Sequence, residues 1–340
     1  MQRVWFNKTF SSVAAAISLI READVVGDYH IVCSNTNPHA PGFLFAHVSA
    51  IEPSGLKGEE YLDWCLNFCR VNSIGIFVPG KEASLVSAAR EQFAAQGTRV
   101  LCAALQEVLH LLHDKALFYQ TVDLELAPPA AFRVVEHVEQ FDAAYRELRE
   151  AHAKLCVKPS VSVYGLGFSV VDEERSTAQL LLDGIQYHVG LEDLRRGFAA
   201  MNGFRTMLVM EYLDGNEYSV DCVGDNGRLV CAIPRKKAKI AGQGQMIDLR
   251  DDILESTRQL TAAYGLNGVF NIQFREGQNG LCLLEINPRM SGGLAMACLA
   301  GPNLPYLALV GFDRGFDGLQ IPPIRAGIRV AELARAMELK

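Results

Sequence analysis

The sequence predicts an α/β protein that begins with a small doubly wound parallel sheet and continues into lobes that mix helices and sheets. Two observations predict this fold class. Over about the first 100 residues, apolar segments of strand length alternate with segments of helical periodicity. Near the C-terminus, residues 270–286 show two strand patterns separated by turn residues, as in a β-hairpin. The chain length of 340 residues is enough for two or three domains.

Composition and charge exclude several classes of partner. The net charge is −7, so nucleic acid or an anionic membrane is not expected as the main partner. No apolar stretch is long enough to cross a bilayer. The nine cysteines are odd in number and have no metal-ligand spacing, which suggests a reducing compartment. We therefore expect a cytoplasmic protein, and a homodimer is left open.

The first domain is predicted from its strand and helix patterns in order. These are strand Arg3–Phe6, helix Ser11–Ala23, strand Tyr29–Ser34, helix Glu59–Asn72, strand Ile74–Pro79, helix Glu82–Ala95 and strand Arg99–Ala103. Parallel sheets bind ligands at the carboxyl ends of their strands, which makes loops 7–9 and 34–37 candidates for substrate contact. Solvated turns explain these loops equally well. No Gly-x-Gly-x-x-Gly follows the first strand, which argues against a dinucleotide site and a dehydrogenase.

A lysine at the end of a buried strand is the main feature of the central region. The predicted elements are helices Leu105–Leu112, Ala116–Thr121 and Val138–Glu150, and strands Phe132–Val135, Leu155–Pro159 and Phe168–Val171. Lys158 lies near the end of a strand, before a loop that contains Gly165 and Gly167. An ammonium group and closely approaching backbone N–H groups suit phosphate binding. Lysines also end strands for solubility, so this signal alone is weak.

A cluster of cations follows the predicted strand Arg228–Ile233. Arg235 and Lys237 share one face of an extended segment and could neutralise phosphate charge. A solvated edge strand is the common alternative for such a cluster. The glycines around Gln243 predict a mobile loop that covers the substrate. The other elements predicted here are strands Thr206–Glu211 and Asn216–Cys222 and helix Asp248–Tyr264.

The hairpin at residues 270–286 presents oxygen-bearing side chains at one end. Gln273 and Glu285 can face the same side, and Asn287 lies just beyond the second strand. Hard oxygen ligands suit Mg²⁺. Arg289 follows immediately, and a guanidinium suits a transferring phosphoryl group. A surface hairpin with solvated polar ends would explain Gln273. It accounts poorly for the succession of polar residues and glycines from Glu285 to Gly293.

Two segments carry a resemblance to a known family. The segment LEINPRMSGG, residues 284–293, and the segment MEYLDGNEYSVD, residues 210–221, resemble the ATP-grasp superfamily. The sequences of these segments resemble most the carbamoyl-phosphate-synthase-like and carboxylate–amine ligase branches. The resemblance implies the ATP-grasp fold, with an N-terminal α/β domain at 1–104, one lobe at 105–209 and a second lobe at 210–340. The loop near Lys158 has fewer glycines than relatives often have.

The resemblance also implies roles for individual residues. Metal ligands would be Gln273, Glu285 and Asn287, and Arg289 would stabilise the charge on the transferring phosphoryl group. The nucleotide would be bound by two lysines, by the glycine loop, by the backbone of a hinge and by an acid at the ribose. These residues are Lys115, Lys158, Gly165, Gly167, Glu211, Tyr212, Leu213 and Glu217.

The activity implied by the resemblance is that of an ATP-dependent carboxylate–amine (C–N) ligase. ATP and Mg²⁺, or Mn²⁺ in its place, would be the cofactors. A small carboxylate would become an acyl phosphate that an amine or a similar nucleophile attacks, with amino acids or peptides as the expected substrates. The carboxylate is ionised at neutral pH, so the first step needs no base. An ATP-binding regulatory or degenerate protein without ligase turnover remains the alternative.

Overall fold

The computed structural model describes residues 1–7, 12–162, 165–238, 243–333 and 338. Within these ranges, the strands and helices follow one another from β1 to β16 and from α1 to α12. The strands are β1 (Gln2–Phe6), β2 (Tyr29–Asn35), β3 (Val48–Ile51), β4 (Ile76–Val78), β5 (Arg99–Val100), β6 (Phe132–Val135), β7 (Leu155–Pro159), β8 (Ser169–Asp172), β9 (His188–Gly190), β10 (Met207–Glu211), β11 (Glu217–Asp225), β12 (Arg228–Lys237), β13 (Gln245–Ile247), β14 (Gly268–Gly277), β15 (Gly280–Asn287) and β16 (Arg329–Val330).

The helices alternate with the strands in the first third of the chain, as the sequence predicts. They are α1 (Ser12–Ala23), α2 (Gly58–Val71), α3 (Ala83–Ala88), α4 (Arg90–Ala95), α5 (Gln106–His113), α6 (Lys115–Thr121), α7 (Val138–Ala151), α8 (Thr177–Leu182), α9 (Leu191–Ala199), α10 (Asp251–Ala263), α11 (Leu294–Cys298) and α12 (Leu304–Arg314). A short 3-10 helix lies at Pro41–Leu44. Among the described residues, every helix is too short or too polar to cross a membrane.

The chain divides into two compact units. The larger unit contains residues 1–110, 216–273 and 286–340, and the smaller unit contains residues 111–215 and 274–285. The predicted first domain therefore shares a unit with most of the predicted last lobe. The boundaries at 104/105 and 209/210 stay a prediction.

The larger unit begins with the predicted parallel sheet. Its strand order is β3-β2-β1-β4-β5, and all four neighbouring pairs are parallel. Helix α1 covers one face and packs against α11 and α12, so the first sheet and the last helices share a core. The predicted mixed α/β architecture is confirmed.

A second sheet, of strand order β15-β14-β11-β12-β13-β16, carries the hairpin. Strands β11 and β12 pair antiparallel, so that Ser219 is opposite Arg235 and Val220 is opposite Pro234. The prediction that the strand beginning at Arg228 ends before Pro234 is wrong, since β12 continues to Lys237. Proline removes only one donor from the ladder, and its carbonyl here still accepts from the Asp248 N–H at 3.1 Å.

One other difference from the predicted elements has a local cause. The predicted helix Glu82–Ala95 is interrupted at Ala89, which lies outside helical geometry with φ −90° and ψ 10°.

The loop predicted around Gln243 precedes β13, and its proposed movement over the substrate stays a prediction. Gly242 lies outside the described residues, and Gly244 has φ +75°. A Cβ there would lie 2.8 Å from the Val330 carbonyl oxygen, so glycine permits close packing against β16.

The smaller unit is a five-stranded sheet of order β6-β10-β7-β8-β9. Strand β10 is antiparallel to both β6 and β7. Helix α7 packs its buried face, which includes Phe141 and Leu148, against this sheet. Helices α8 and α9 and strand β9 were not predicted. A capping box formed by Ser176 and Gln179 starts α8, and this sequence signal could have found that helix.

Candidate active site

A cluster of charged side chains in the smaller unit lies where α6 and β7 meet the C-terminal part of β15. Asp114 caps α6 by accepting from the N–H groups of Ala116 and Leu117, which fixes Lys115 as the first helical residue. The Lys115 ammonium lies 3.8 Å from the Glu285 carboxylate and donates to the Ser162 carbonyl at 3.1 Å. Lys115 and Glu285, predicted from distant parts of the sequence, are thus brought together.

Lys158 belongs to the same cluster. Its ammonium donates to the Tyr119 hydroxyl at 2.8 Å and lies 4.9 Å from the centre of the Tyr119 ring. Burial lowers the pKa of both Lys115 and Lys158, and the nearby Glu285 opposes this shift. A lowered lysine pKa means that the charged form lacks some of the stabilisation it has in water. An anion bound between these ammonium groups would supply it.

Tyr119 was not singled out from the sequence. It lies in α6, one turn after Lys115, and its hydroxyl donates to the Leu284 carbonyl oxygen next to Glu285. Burial raises the pKa of Tyr119, so its hydroxyl stays protonated at neutral pH. A lone aromatic residue on a helix gives no sequence signal for such a role. Only the packing of α6 against β15 reveals it.

The glycine loop after β7 has the backbone geometry that glycine permits. Gly165 and Gly167 have φ of +69° and +82°. A Cβ at Gly167 would lie 2.7 Å from the Pro159 ring, so this position is restricted by packing as well as by conformation. Val163 and Tyr164 of this loop lie outside the described residues.

The predicted hinge follows β10 at the edge of the same unit. The Glu211 N–H donates to Ala131 and the Tyr212 N–H donates to Lys154, at 2.9 and 3.0 Å. The Glu211 side chain is buried, and one of its oxygens lies 3.6 Å from the imidazole of His152. Two of the three hinge N–H groups are therefore engaged within the protein. The Leu213 main chain is the better candidate for pairing with a ligand edge.

In the larger unit, Gln273 lies in the middle of β14, Asn287 is the last residue of β15 and Arg289 follows two residues later. The Gln273 side-chain amide donates to the Asn271 side-chain oxygen at 3.3 Å. The Arg289 guanidinium donates to the Asn287 side-chain oxygen at 3.3 Å and to the Met290 carbonyl at 3.1 Å. Asn287 and Glu285 are two residues apart on β15, so their side chains leave the strand on the same face.

The residues of the hairpin fit a magnesium ion by their chemistry. They provide amide oxygens from Gln273 and Asn287 and one carboxylate from Glu285, and Mg²⁺ prefers oxygen ligands with one or two carboxylates. In the described part of the chain, no three His, Cys, Asp or Glu residues lie close enough together to hold a metal. A site with a single carboxylate that completes its coordination with phosphate oxygens is consistent with both facts.

The two cations predicted to neutralise phosphate charge differ in their surroundings. Arg235 is 2% exposed, and its guanidinium is paired with the fully buried carboxylate of Asp221 at 2.7 Å. Lys237 is partly exposed and forms an ion pair with Glu217, the residue predicted to bind the ribose. The charge of Arg235 is already balanced inside the protein, so the structure gives it a different setting from that of a ligand-facing cation.

Asn7 and Ser34, from the loops predicted at the carboxyl ends of the first sheet, form hydrogen bonds within the protein. Asn7 is buried, and its side chain accepts from the Gly80 N–H at 2.6 Å, just after the end of β4. Ser34 accepts from the Trp5 indole and donates to Glu52. Lys8 and Thr9 lie outside the described residues.

A mainly apolar cavity of about 60 Å³ lies at the same edge of the first sheet. The ends of β1, β4 and β5 contribute to its wall, and Arg289 adds a guanidinium. Ligands of doubly wound sheets bind at this edge. The cavity therefore offers space for a small group next to a cation.

Comparisons with known proteins show similarity over part of the sequence and in the fold. The family model described as "ATP-grasp in the biosynthetic pathway with Ter operon" matches residues 203–336. The carbamoyl phosphate synthase large chain of Clostridium botulinum (strain Loch Maree / Type A3) is 26% identical over 157 residues, which is 43% of this chain and 13% of that protein. The chain thus spans only a small part of the curated relative's length.

Two solved structures show the same fold at low sequence identity. The first is the biotin carboxylase domain of the 2-oxoglutarate carboxylase of Hydrogenobacter thermophilus, in complex with MgADP, ADP and bicarbonate. It has a TM-score of 0.63 and 13% identity, with 97% of this chain and 72% of that chain covered.

The second is the L-amino acid ligase of Bacillus licheniformis, with a TM-score of 0.60, 13% identity, and coverage of 92% and 74%. Residues 203–336 are thus similar to an ATP-grasp family, and the whole chain shares the fold of these solved ATP-grasp structures.

Proposed function

We propose that the protein is an ATP-dependent ligase that activates a carboxylate as an acyl phosphate and transfers the acyl group to an amine. The observation that carries this proposal is the cluster of Lys115, Lys158 and Glu285 in the smaller unit. Two partly desolvated ammonium groups beside one carboxylate suit a polyphosphate accompanied by a divalent cation.

The two lysines of the cluster and several other residues have proposed roles in nucleotide binding. Lys115 and Lys158 hold the α- and β-phosphates, and Gly165 and Gly167 let backbone N–H groups approach them. The Leu213 main chain pairs with the adenine edge, and Glu217 accepts from the ribose hydroxyls. Tyr119 fixes the Lys158 ammonium by accepting its hydrogen bond, so the cation is placed before the ligand arrives.

A magnesium ion would be held by Gln273, Glu285 and Asn287, and when bound it would neutralise charge on the phosphate oxygens. Arg289 stabilises the transferring phosphoryl group, and its hydrogen bond to Asn287 keeps the guanidinium next to the ligand set. Lys237 neutralises the negative charge of the acyl phosphate. Its ion pair with Glu217 orients the Lys237 ammonium group. The protein thus contributes charge placement and orientation rather than a proton-transfer group.

The proposed reaction has two steps. A carboxylate oxygen attacks the γ-phosphorus, and the bond from that phosphorus to the β–γ bridging oxygen breaks, so ADP leaves. The amine then attacks the carbonyl carbon of the acyl phosphate. The bond from that carbon to the phosphate oxygen breaks, phosphate leaves, and the amine loses a proton to solvent.

The decisive experiment is nucleotide product analysis with ATP and Mg²⁺ in the presence of pooled carboxylates, chiefly amino acids, with and without pooled amines. We expect ADP and phosphate to form only when a suitable carboxylate is present. AMP and pyrophosphate would instead show adenylation and would remove the proposed role of Arg289. ATP binding without any product, including with peptide pools, would favour the regulatory alternative.

A substitution of Lys158 separates ligand binding from fold stability. We expect Lys158→Met to weaken ATP binding by about tenfold or more, because a hydrogen bond from a charged donor is lost. The melting temperature of the ligand-free protein should stay unchanged or rise, since a desolvated ammonium is replaced by an apolar side chain of similar length. Calorimetric titration and thermal unfolding measure the two effects.

Lys154→Met is the matched control, because Lys154 is exposed and directly precedes the same strand. This variant should bind ATP like the wild type. Equal ATP affinity in the Lys158→Met variant and the wild type would place phosphate binding elsewhere.

A further inference from the structure

A buried polar network in the larger unit connects the candidate metal ligand Gln273 with the turn that follows Arg289. It is built on β11, β12 and β14 and on the segment after β15. Its members are almost completely excluded from solvent, with none more than 6% exposed. They are Ser219, Asp221, Arg235, Asn271 and Ser291.

Asn271 is the member that contacts Gln273. Its side-chain nitrogen donates to Ser219 at 3.0 Å, to the Val220 carbonyl at 3.0 Å and to Asp221 at 3.2 Å. Its side-chain oxygen accepts from the Gln273 amide nitrogen at 3.3 Å. The three acceptors fix which end of the Asn271 amide is nitrogen, and this in turn fixes the orientation of Gln273.

The orientation of Gln273 has a chemical consequence. Its amide nitrogen is directed to Asn271, so its oxygen is the end turned away from the network. An amide can donate to Asn271 and still present an oxygen to a cation. A carboxylate at position 273 could not donate and would place two acceptors against each other. This explains why glutamine stands here beside the single carboxylate of Glu285.

Arg235 extends the network to the other side of the site. Its guanidinium donates to Asp221 at 2.9 and 2.7 Å, to Ser219 at 3.2 Å and to Ser291 at 3.2 Å. The Ser291 hydroxyl also accepts from the Gly293 N–H at 3.1 Å. A Cβ at Gly293 would collide with the guanidinium, so the backbone of this turn packs directly on Arg235.

We infer that Asn271, Asp221 and Arg235 are positioning residues that act through one buried network. On one side the network turns the Gln273 oxygen toward the cation. On the other it holds the turn at 291–293, directly after Arg289. This inference rests on the proposed function, since Gln273 is a metal ligand only within it. The buried Arg235 thereby has a role that does not require contact with phosphate.

The test measures Mn²⁺ binding in the presence of a non-hydrolysable ATP analogue, by electron paramagnetic resonance of the free ion. Asn271→Val keeps a strand-compatible side chain but removes the hydrogen bond that orients Gln273. We expect the Mn²⁺ dissociation constant to rise by about tenfold or more, as for the loss of a group that orients a metal ligand. The Mg²⁺ concentration for half-maximal activity should rise in parallel.

Thr98→Val is the matched control. Thr98 is buried just before β5 and donates to the Ile74 carbonyl at 2.7 Å, so this variant loses a buried hydrogen bond outside the network. Its melting temperature should fall while its Mn²⁺ dissociation constant stays that of the wild type. If the network has only a structural role, Asn271→Val should also lower the melting temperature and leave the Mn²⁺ dissociation constant unchanged.

Ser219→Ala keeps the inference testable if Asn271→Val does not fold. Ser219 accepts from both Asn271 and Arg235, so its loss should raise the Mn²⁺ dissociation constant by about threefold or more. Wild-type Mn²⁺ affinity in the folded network variants would overturn the inference. Failure of the wild type to bind Mn²⁺ with the analogue would instead overturn the proposed metal site itself and, with it, this inference.

Discussion

Replacing Glu285 by glutamine should lower turnover by at least about a hundredfold while leaving the fold intact. Glu285 is the only carboxylate in the proposed ligand set, so this change removes the negative charge that holds the divalent cation. The side chain is 31% exposed and forms an ion pair with Lys115, so its loss should cost little stability. Steady-state kinetics and thermal unfolding of the same preparation measure both parts of the prediction.

The variant also distinguishes two roles of Glu285. If the carboxylate serves the cation, the Mg²⁺ requirement should rise steeply. If it serves only as a partner of Lys115, its removal should leave the Mg²⁺ requirement unchanged. ATP binding without metal should not weaken in either case, because the Lys115 ammonium is then free of its competing carboxylate partner.

Glu276→Gln is the control for this prediction. Glu276 is a carboxylate in the same hairpin, at the end of β14 near the turn, and lies outside the proposed ligand set. Its substitution should leave turnover within about twofold of the wild type, as expected for a surface change. Near wild-type turnover in the Glu285→Gln variant would refute the metal-ligand role.

Removing one partner of the buried Asp221–Arg235 pair should destabilise the protein by about 3–5 kcal/mol. Both side chains are almost completely buried, so either single substitution leaves an uncompensated charge away from water. We expect Asp221→Leu and Arg235→Met each to lower the midpoint of chemical unfolding strongly. A loss of this size is a large fraction of the stability of an ordinary domain.

The double variant tests whether the cost comes from the unpaired charge. Asp221→Leu with Arg235→Met removes both charges and should be clearly more stable than the sum of the single effects predicts. As a control, Glu255 and Arg258 form an exposed ion pair on α10, and their substitution should cause no measurable loss. Additive effects of the two buried substitutions would show that the pair is not coupled.

The double variant also bears on function. If the pair is only a stabilising element, the folded double variant should keep its Mg²⁺ requirement. The positioning role of Arg235 requires that this variant be impaired in spite of its recovered stability. Stability and metal dependence therefore give independent answers from the same protein.

The fold class was predictable because it depends on local patterns. Alternation of strands and helices over the first third of the chain predicted the parallel sheet, and its core residues, such as Val4 and Ile31, are buried as the periodicity requires. The hairpin was predictable for the same reason. The two-residue strand β16 was missed because its local sequence signal is weak. The end of β12 was predicted too early because the effect of Pro234 on the strand was overestimated.

Residue types and their order along the chain determined the candidate ligands and lysines, since charge and hydrogen-bonding capacity belong to the side chains themselves. Which side chains meet was decided only by tertiary packing. The sequence offered Arg235 and Lys237 as an equivalent pair, yet the sheet buries one against Asp221 and leaves the other partly exposed. It gave Tyr119 and Asn271 no role at all. A side chain's function depends on its partners and its solvation, and these arise from residues far apart in the chain that only the folded structure brings together.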